Sequence, residues 1–180
     1  MNDDHNLPAD WRPVAFKEWS TVCDALANGE QSLILRKGGI SEGKLGFQWL
    51  HERFFLFPTF FHTQLGQVKG ERAIREPRED GRIALQLIAE VTESGRLTDW
   101  DEITALADEH IWTEEAIRER YEWGDEPGIS FARVTVRQLS EPWVLDDRKG
   151  FGGCRSWIGL PAEEGGDWRT LADSAEPLNL

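Results

Sequence analysis

The clearest strand pattern lies in the middle of the chain. From residue 83 to residue 91, apolar residues alternate with mostly polar ones, which is the period-two pattern of a strand with one face in the core. Residues 130–139 repeat this alternation. Pro142 is predicted to stop that second strand because proline cannot donate to a β-ladder.

Three shorter segments predict further strands. Residues 32–36 and 53–57 are β-prone runs, closed by a glycine pair and by a proline. Residues 154–160 follow a glycine-rich turn and predict a last short strand. The charged segment 66–81 lacks apolar residues over most of its length, and we expect a mobile surface loop there.

Apolar residues spaced by three and four positions predict a helix near the start of the chain. This spacing covers residues 15–28, and Asn28 with Gly29 supplies a C-terminal stop. Cys23 lies on the apolar side of this predicted helix. We therefore expect it to be a small core residue.

Two short acidic helices are predicted between the long strands. Asp99 and Glu102 have the spacing of a capping box, and Thr113 precedes a first turn rich in glutamate. The mixture of few helices with several non-consecutive strands predicts an α+β fold. Its small mixed sheet is expected to curl into a barrel, flanked by the N-terminal helix and the two acidic helices.

The length of 180 residues suits a single globular domain. We predict a flexible lead-in at residues 1–13, one globular domain at 14–160 and a disordered acidic tail at 161–180. No apolar run approaches the roughly 20 residues that span a bilayer, and the acidic first residues do not resemble a secretory signal. Two cysteines without metal-ligand spacing fit a reduced, cytoplasmic protein.

Charge is distributed unevenly along the chain. The net charge is -13, which argues against a protein that coats DNA without specificity. Residues 31–82 nevertheless carry nine basic and six acidic side chains. This segment predicts either an electropositive patch on an acidic body or an ordinary solvated face.

Basic residues and histidines around the early strands form the candidate ligand site. Arg36 and Lys37 end a predicted strand directly before two glycines, whose backbone N–H groups are accessible to an anion. His51 and His62 flank the next strand, and Arg155 lies beside a second glycine pair. These five residues are the predicted ligand-binding set.

The predicted ligand is RNA, single-stranded nucleic acid or a nucleotide-like molecule. Trp49, Phe60 and Phe61 lie near the basic residues, where they either stack on a base or belong to the core. No phosphate-binding glycine loop, dinucleotide fingerprint or nucleophile motif is present. We therefore assign no catalytic residue, cofactor or metal.

Two other function classes stay open at this point. Glu42, Lys44 and Glu52 offer carboxylates and a lysine of the kind used by a metal-dependent phosphodiesterase or nuclease. Residues 99–122 are acidic and helical, which suits a protein-interaction module with a basic partner. A nuclease is expected to cleave nucleic acid when magnesium or manganese is added, whereas a binding module leaves the strands intact. An interaction module is expected to lose its basic partner at high salt.

Five segments of the chain carry a family resemblance: Ala15-Phe16-Lys17-Glu18-Trp19, Leu33 to Ile40, Phe55 to Thr59 followed by His62, His110 to Glu115, and Gly153-Cys154-Arg155-Ser156-Trp157. Together they resemble the bacterial and archaeal family known as domain of unknown function 1802. This resemblance covers about residues 14–160. It implies no catalytic residues, because the family has no settled activity.

The running order of elements also resembles that of PUA-like barrels, especially the ASCH and EVE branches. Those barrels are linked to RNA or modified-base binding, so the resemblance implies a nucleic-acid ligand. The basic pair Arg36 and Lys37 matches the general position of their ligand-facing segment.

Overall fold

The computed structural model describes residues 7–37, 47–60, 62–73, 80–124 and 126–178. The strands are β1 (Val14–Trp19), β2 (Leu33–Arg36), β3 (Arg53–Thr59), β4 (Arg82–Leu97), β5 (Ile129–Asp146), β6 (Trp157–Gly159) and β7 (Glu176–Pro177). The α-helices are α1 (Ser20–Ala27), α2 (Trp100–Thr104), α3 (Glu114–Glu122) and α4 (Trp168–Asp173). Short 3₁₀ turns cover His62–Gln67, Ala107–Glu109 and Lys149–Phe151.

One mixed sheet contains all seven of these strands and confirms the predicted α+β class. Its order is β2-β5-β4-β3-β1-β6, and β7 pairs with the other half of β5. β1 and β3 run parallel, and the other pairs are antiparallel. Register shifts interrupt the β4–β5 ladder at Leu85/Leu87 and Val91/Glu93. Such irregularities bend strands, and the sheet curls into a half-barrel.

Both faces of this sheet are buried. Phe16, Phe54 and Leu56 point toward one hydrophobic cluster, whereas their strand neighbours Ala15 and Phe55 point toward another. We call the first side the helix face, because buried residues of α1, α2 and α3 cover it. We call the second side the end face, because residues from both ends of the chain cover it.

The predicted lead-in and tail both contain residues that cover the sheet. Residues 7–13 and 161–178 pack together over the end face, where Leu7 and Trp168 are buried. Arg169 donates hydrogen bonds to four backbone carbonyls within residues 7–11 at 3.1–3.4 Å. The Leu7 amide donates to Asp173 at 2.9 Å. The polar and acidic composition of these segments did not indicate that a few of their apolar and basic residues would make these contacts.

The first predicted helix is only half correct. Its second half is α1, but residues 14–19 form β1, a strand between β3 and β6. In β1 the side chains alternate between the two faces, with Phe16 and Glu18 toward the helix face. Apolar residues on both faces produced a spacing that also fits a helix. The predicted core position of Cys23 is confirmed, since it is buried in α1.

Two other predicted boundaries were also wrong. β5 continues past Pro142, because residues 139–142 lie within the β4–β5 register shift, where no ladder hydrogen bond is required of the proline. The predicted surface loop 66–81 begins with an anchored segment. Val68 is buried and bridges to Trp112, while residues 74–79 lie outside the described part.

The predicted starts of the two acidic helices are confirmed. Asp99 accepts a hydrogen bond from the Asp101 amide at 2.8 Å, and Thr113 accepts one from the Ala116 amide at 3.2 Å. Both bonds satisfy amides that a helix leaves unpaired in its first turn. Among the described residues, the helices are all too short or too polar to cross a membrane.

Candidate functional site

A cavity of about 330 Å³ lies on the helix face, next to the end of β2. α3 forms one wall, and the segment before β6 forms another. Its lining residues are Arg36, Lys37, Gln67, Glu119, Arg120, Trp123, Cys154 and Ser156. We call this cavity the α3 pocket. Most of its lining side chains are polar or charged.

The side chain of Arg36, at the end of β2, lies over an aromatic ring and beside a buried carboxylate. Its guanidinium carbon lies 4.8 Å from the centre of the Phe16 ring, and Nη2 lies 3.9 Å from Oε2 of Glu18. Nη2 also donates to the Lys17 carbonyl. Nε is buried and has no hydrogen-bond partner among the described residues. Arg36 as a residue also lines the α3 pocket.

Glu18 is the buried anion next to this arginine. Its side chain is 1% exposed, and Oε1 accepts a hydrogen bond from the Trp19 amide at 2.7 Å. The alternation of β1 turns Glu18 toward the same face as Phe16. A buried carboxylate requires nearby positive charge, so Glu18 explains why Arg36 is held in place.

Arg120 projects from α3 into an aromatic setting. Its guanidinium carbon lies 3.8 Å from the centre of the Trp112 ring and 5.3 Å from that of Trp19. It donates to the Ala116 carbonyl at 3.0 Å and to Oε1 of Gln67 at 3.3 Å. Burial lowers the pKa of Arg120 to about 10, although the attraction of Glu18 opposes this shift. Arg120 therefore remains a cation at neutral pH.

Lys37 also lines the α3 pocket, but its ammonium group is occupied. Nζ donates to the carbonyls of Tyr121, Glu126 and Gly128 at 2.7–3.1 Å. These carbonyls belong to the end of α3 and the loop that follows. Desolvation, followed by the charge of Arg96, lowers the pKa of Lys37. This lysine therefore fixes the wall of the pocket by binding backbone.

Lys17 positions the opposite wall. Its Nζ donates to the carbonyls of Phe151 and Gly153, both at 2.8 Å. The amide of Lys17 donates to the Ser156 carbonyl at 2.8 Å, which continues the pairing of β1 with β6. Burial, followed by the charge of Arg155, lowers the pKa of Lys17. The segment 153–156 is thus held against the pocket from β1.

The five predicted ligand-binding residues do not all line one cavity. Arg36 and Lys37 line the α3 pocket together. Arg155 is exposed and lines a separate open cavity of about 350 Å³, where it donates to the Gly150 carbonyl at 2.7 Å. His51 is exposed beside Trp157, with 5.0 Å between the ring centres. His62 begins a 3₁₀ turn, and its side chain lies outside the described residues.

The residues of the two alternative functions have different positions. Glu42 and Lys44 lie outside the described residues, and Glu52 is exposed at the start of β3. Within the described ranges, no three histidine, cysteine, aspartate or glutamate side chains form a cluster suited to a metal. The acidic residues predicted for a partner interface include the first turns of α2 and α3.

Of the three aromatic residues predicted near the basic ones, the two that the structure describes, Trp49 and Phe60, do not line the α3 pocket. Trp49 packs against Phe16 and Trp157 with ring centres 5.3 and 6.2 Å apart, Phe60 is half-buried, and Phe61 lies outside the described residues. Trp123, which sequence reasoning did not select, lines it and is 51% exposed.

Sequence reasoning also missed several polar residues of the pocket. Gln67, Glu119, Arg120, Cys154 and Ser156 line it with the two basic residues of β2. Only Cys154 and Ser156 lie within a short sequence pattern that could have indicated them, the glycine-rich string before β6. The others come from segments distant in sequence, and only folding brings them next to β2.

Solved structures show the class of fold to which this arrangement belongs. The ASCH protein of Zymomonas mobilis matches with a TM-score of 0.52 and 12% identity, over 92% of this chain and 97% of that chain. Its serine-to-alanine variant matches with a TM-score of 0.54 and 11% identity, over 93% of this chain and 99% of that chain. Its tyrosine-to-phenylalanine variant matches with a TM-score of 0.53 and 12% identity, over 92% of this chain and 100% of that chain. The fold is therefore similar to that of this ASCH protein, as predicted.

The family follows from the sequence itself. Residues 15–175 match the family described as Domain of unknown function (DUF1802), and the chain belongs to it. The match includes α4, which lies beyond the segment 14–160 over which the resemblance was expected. No curated protein sequence matches this chain.

Proposed function

We propose that this protein binds single-stranded RNA, or a nucleotide released from it, in the α3 pocket. The proposal rests on the pair of guanidinium groups that enter the same cavity from β2 and from α3. Arginine recognises phosphate through a planar set of donors, and both side chains are oriented before a ligand arrives. RNA as the polymer is supported by the resemblance to PUA-like barrels.

The size of the pocket favours one nucleotide as the unit that is bound. A volume of about 330 Å³ is near the lower end of the range for small-molecule sites. Single-stranded RNA exposes unstacked bases that a protein can hold in such a cavity. Duplex RNA presents its phosphates and grooves on a wide convex surface, which does not suit a narrow pocket.

Local charge favours an anionic ligand in spite of the net charge of -13. Among the described residues of the lining, Arg36, Arg120 and Lys37 bring three cations to the pocket wall, against the one carboxylate of Glu119. Glu18 offsets part of this positive charge from below. A localised positive site within an acidic molecule is expected to bind few phosphates, so the salt dependence of binding should be shallow.

The direct test is titration of a fluorescently labelled, single-stranded RNA of mixed sequence, read by anisotropy at several salt concentrations. If the protein contacts two phosphates, a plot of the logarithm of the association constant against the logarithm of the salt concentration should have a slope of about -1.4. Arg36→Gln should weaken binding by about tenfold or more, because a charge-assisted hydrogen bond is lost. Arg36→Lys should recover part of this affinity, since it retains the charge beside Glu18.

Arg82→Gln is the matched control. Arg82 is an arginine at the opposite end of β4 that pairs with Asp80 at 2.9 Å. Its removal changes the net charge by the same amount but should leave the affinity unchanged. Circular dichroism and thermal unfolding establish that each variant is folded. The proposal is wrong if the unmodified protein does not bind RNA at low salt. It is also wrong if Arg36→Gln and Arg82→Gln lose affinity for RNA equally.

A further inference from the structure

Trp123 differs from the other tryptophans of this protein. All nine lie in the described part of the chain, and eight contact another aromatic ring or a guanidinium group. Trp123 makes no such contact there, is 51% exposed and lines the α3 pocket. A half-exposed indole on a pocket wall is available to stack on a planar ligand.

Glu119 lies one helical turn before Trp123 and lines the same pocket. It is exposed and makes no hydrogen bond or ion pair within the described residues. Two of the other glutamates of α3, Glu114 and Glu122, differ from it because they lie 3.0 and 3.9 Å from the guanidinium of Arg118. The pocket thus has a carboxylate whose acceptor atoms are not used by the protein itself.

The loop that presents Trp123 is held firmly. Trp123 ends α3 in an extended conformation, and Lys37 binds the carbonyls on either side of it, at Tyr121 and at Glu126. Thr113 caps the start of the same helix. Glu119 and Trp123 are therefore positioned by the fold rather than by a ligand, which lowers the ordering cost of binding.

We propose that Glu119 and Trp123 form a base site that selects guanine, an inference that rests on the proposed function. A carboxylate has two acceptor oxygens and no donor. Guanine presents two adjacent donors on its Watson–Crick edge, the N1–H and the N2 amino group, and both can bond to one carboxylate. Trp123 stacks on the face of the same base, and Arg36 and Arg120 bind its phosphate.

The other three bases do not match a carboxylate in this way. Adenine and cytosine place a ring nitrogen lone pair beside the amino group, and that lone pair faces a carboxylate oxygen unfavourably. Uracil has one N–H between two carbonyl oxygens. In each of these cases one acceptor of Glu119 faces another acceptor, and a site built this way rejects the wrong ligand through the unpaired group.

The test compares the 5′-monophosphates of guanosine, adenosine, cytidine and uridine by isothermal titration calorimetry. We expect guanosine monophosphate to bind about tenfold or more tightly than the other three. Inosine monophosphate, which keeps the N1–H and lacks the N2 amino group, should bind with an intermediate affinity. All five ligands carry the same phosphate, so a difference among them reports the base site alone.

Two variants separate the roles of Glu119 and Trp123. Glu119→Gln keeps the shape of the side chain and should reduce the preference for guanosine monophosphate to about threefold or less. Glu141→Gln removes an equal charge from an exposed position of β5 and should leave the preference intact. Trp123→Leu should weaken all five ligands about fivefold or more, whereas Trp123→Phe retains a stacking surface and most of the affinity.

The possible outcomes distinguish this inference from the proposed function. Equal affinities for the four nucleotides, with loss of binding in Arg36→Gln, would overturn the guanine site and leave the phosphate site supported. A guanine preference that survives in Glu119→Gln would also overturn the role of Glu119. Absence of binding by every nucleotide and by RNA would overturn both proposals.

Discussion

The two faces of the sheet use opposite ways of burying side chains. On the end face, the segments from the chain ends bury apolar groups such as Leu7, Trp168 and Ala172. On the helix side, polar groups such as Glu18, Gln31 and His110 are buried as well. A buried hydrophobic cluster covers each face, so the two faces differ in the polar groups that the helix face buries as well.

The polar groups of the helix side are arranged in hydrogen-bonded sets. Gln31 accepts from the Ile111 amide at 3.0 Å and donates to the Leu33 carbonyl at 2.5 Å, and Nδ1 of His110 accepts from the Trp112 amide at 3.2 Å. These bonds offset the cost of removing polar atoms from water. The end face therefore supplies stability, whereas the helix face supplies stability together with the pocket.

Removal of the Trp168 side chain from the end face should have the largest effect on stability. Its ring centre lies 5.5 Å from that of Trp11, and its Nε1 donates to the Ala162 carbonyl at 3.1 Å. Trp168→Ala should lower the free energy of unfolding by about 3–5 kcal/mol, as is usual for a buried aromatic. Urea unfolding measures the loss. A loss below about 1 kcal/mol would mean that the C-terminal segment is not part of the cooperative core.

A single methyl group at Gly165 should have the next largest effect. Gly165 has a φ of +75°, and an added Cβ would lie 2.4 Å from Nε1 of Trp143 and 2.6 Å from the Val144 carbonyl oxygen. Gly165→Ala should therefore destabilise the fold by about 3 kcal/mol through backbone strain and overpacking.

Gly166→Ala provides the matched control for that change. Gly166 also has a positive φ, of +96°, but nothing lies within 4 Å of an added Cβ. It should cost only the conformational strain, about 1 kcal/mol. Thermal and urea unfolding of both variants separate strain from collision. Equal losses in the two proteins would contradict the close packing of Gly165 against Trp143.

We expect His110, on the helix face, to make the free energy of unfolding depend on pH. Burial, followed by the charges of Lys69 and Arg120, lowers the pKa of His110 from 6.5 to about 4. Above pH 6.5 the histidine is neutral in both folded and unfolded protein, so its full stability is present. Below pH 6.5 only the unfolded chain takes up the proton, and stability falls as the pH approaches 4.

The expected loss from His110 between pH 7 and pH 5 is about 2 kcal/mol. His110→Asn retains an acceptor near Nδ1 and should remove this part of the pH dependence. His51→Asn changes an exposed histidine and should leave most of it in place. Urea unfolding at the two pH values provides the measurement. A pH dependence that is the same in unmodified protein and His110→Asn would contradict the neutral, buried state.

Local sequence signals identified elements whose causes are local. The alternation of β4, the N-cap residues Asp99 and Thr113, and the core position of Cys23 were all predicted correctly. Each depends on the period of a strand or on a bond to the next turn. The β1 strand was missed because its pairing with β3 joins residues 40 positions apart, as in Ala15 with Phe55.

The candidate site was predictable only where its residues were contiguous. Arg36 and Lys37 were found as a basic pair at a strand end, and they line the same cavity. Arg120 and Trp123 resemble ordinary helix residues in the sequence, and nothing near them indicates that α3 packs beside β2. The role of Lys37 was also invisible, since its three carbonyl partners lie about 90 residues away.

Sequence patterns were sufficient to predict the strand-forming segments other than β1 and β7, the starts of the acidic helices and the chemical types available at the end of β2. Long-range contacts were needed to show that residues 14–19 form a strand, that the chain ends cover a face of the sheet, and that α3 meets β2 around a pocket. The reason is physical. Hydrophobic periodicity reports how a segment is exposed, whereas the partner that buries it is chosen by contacts between residues far apart in the chain.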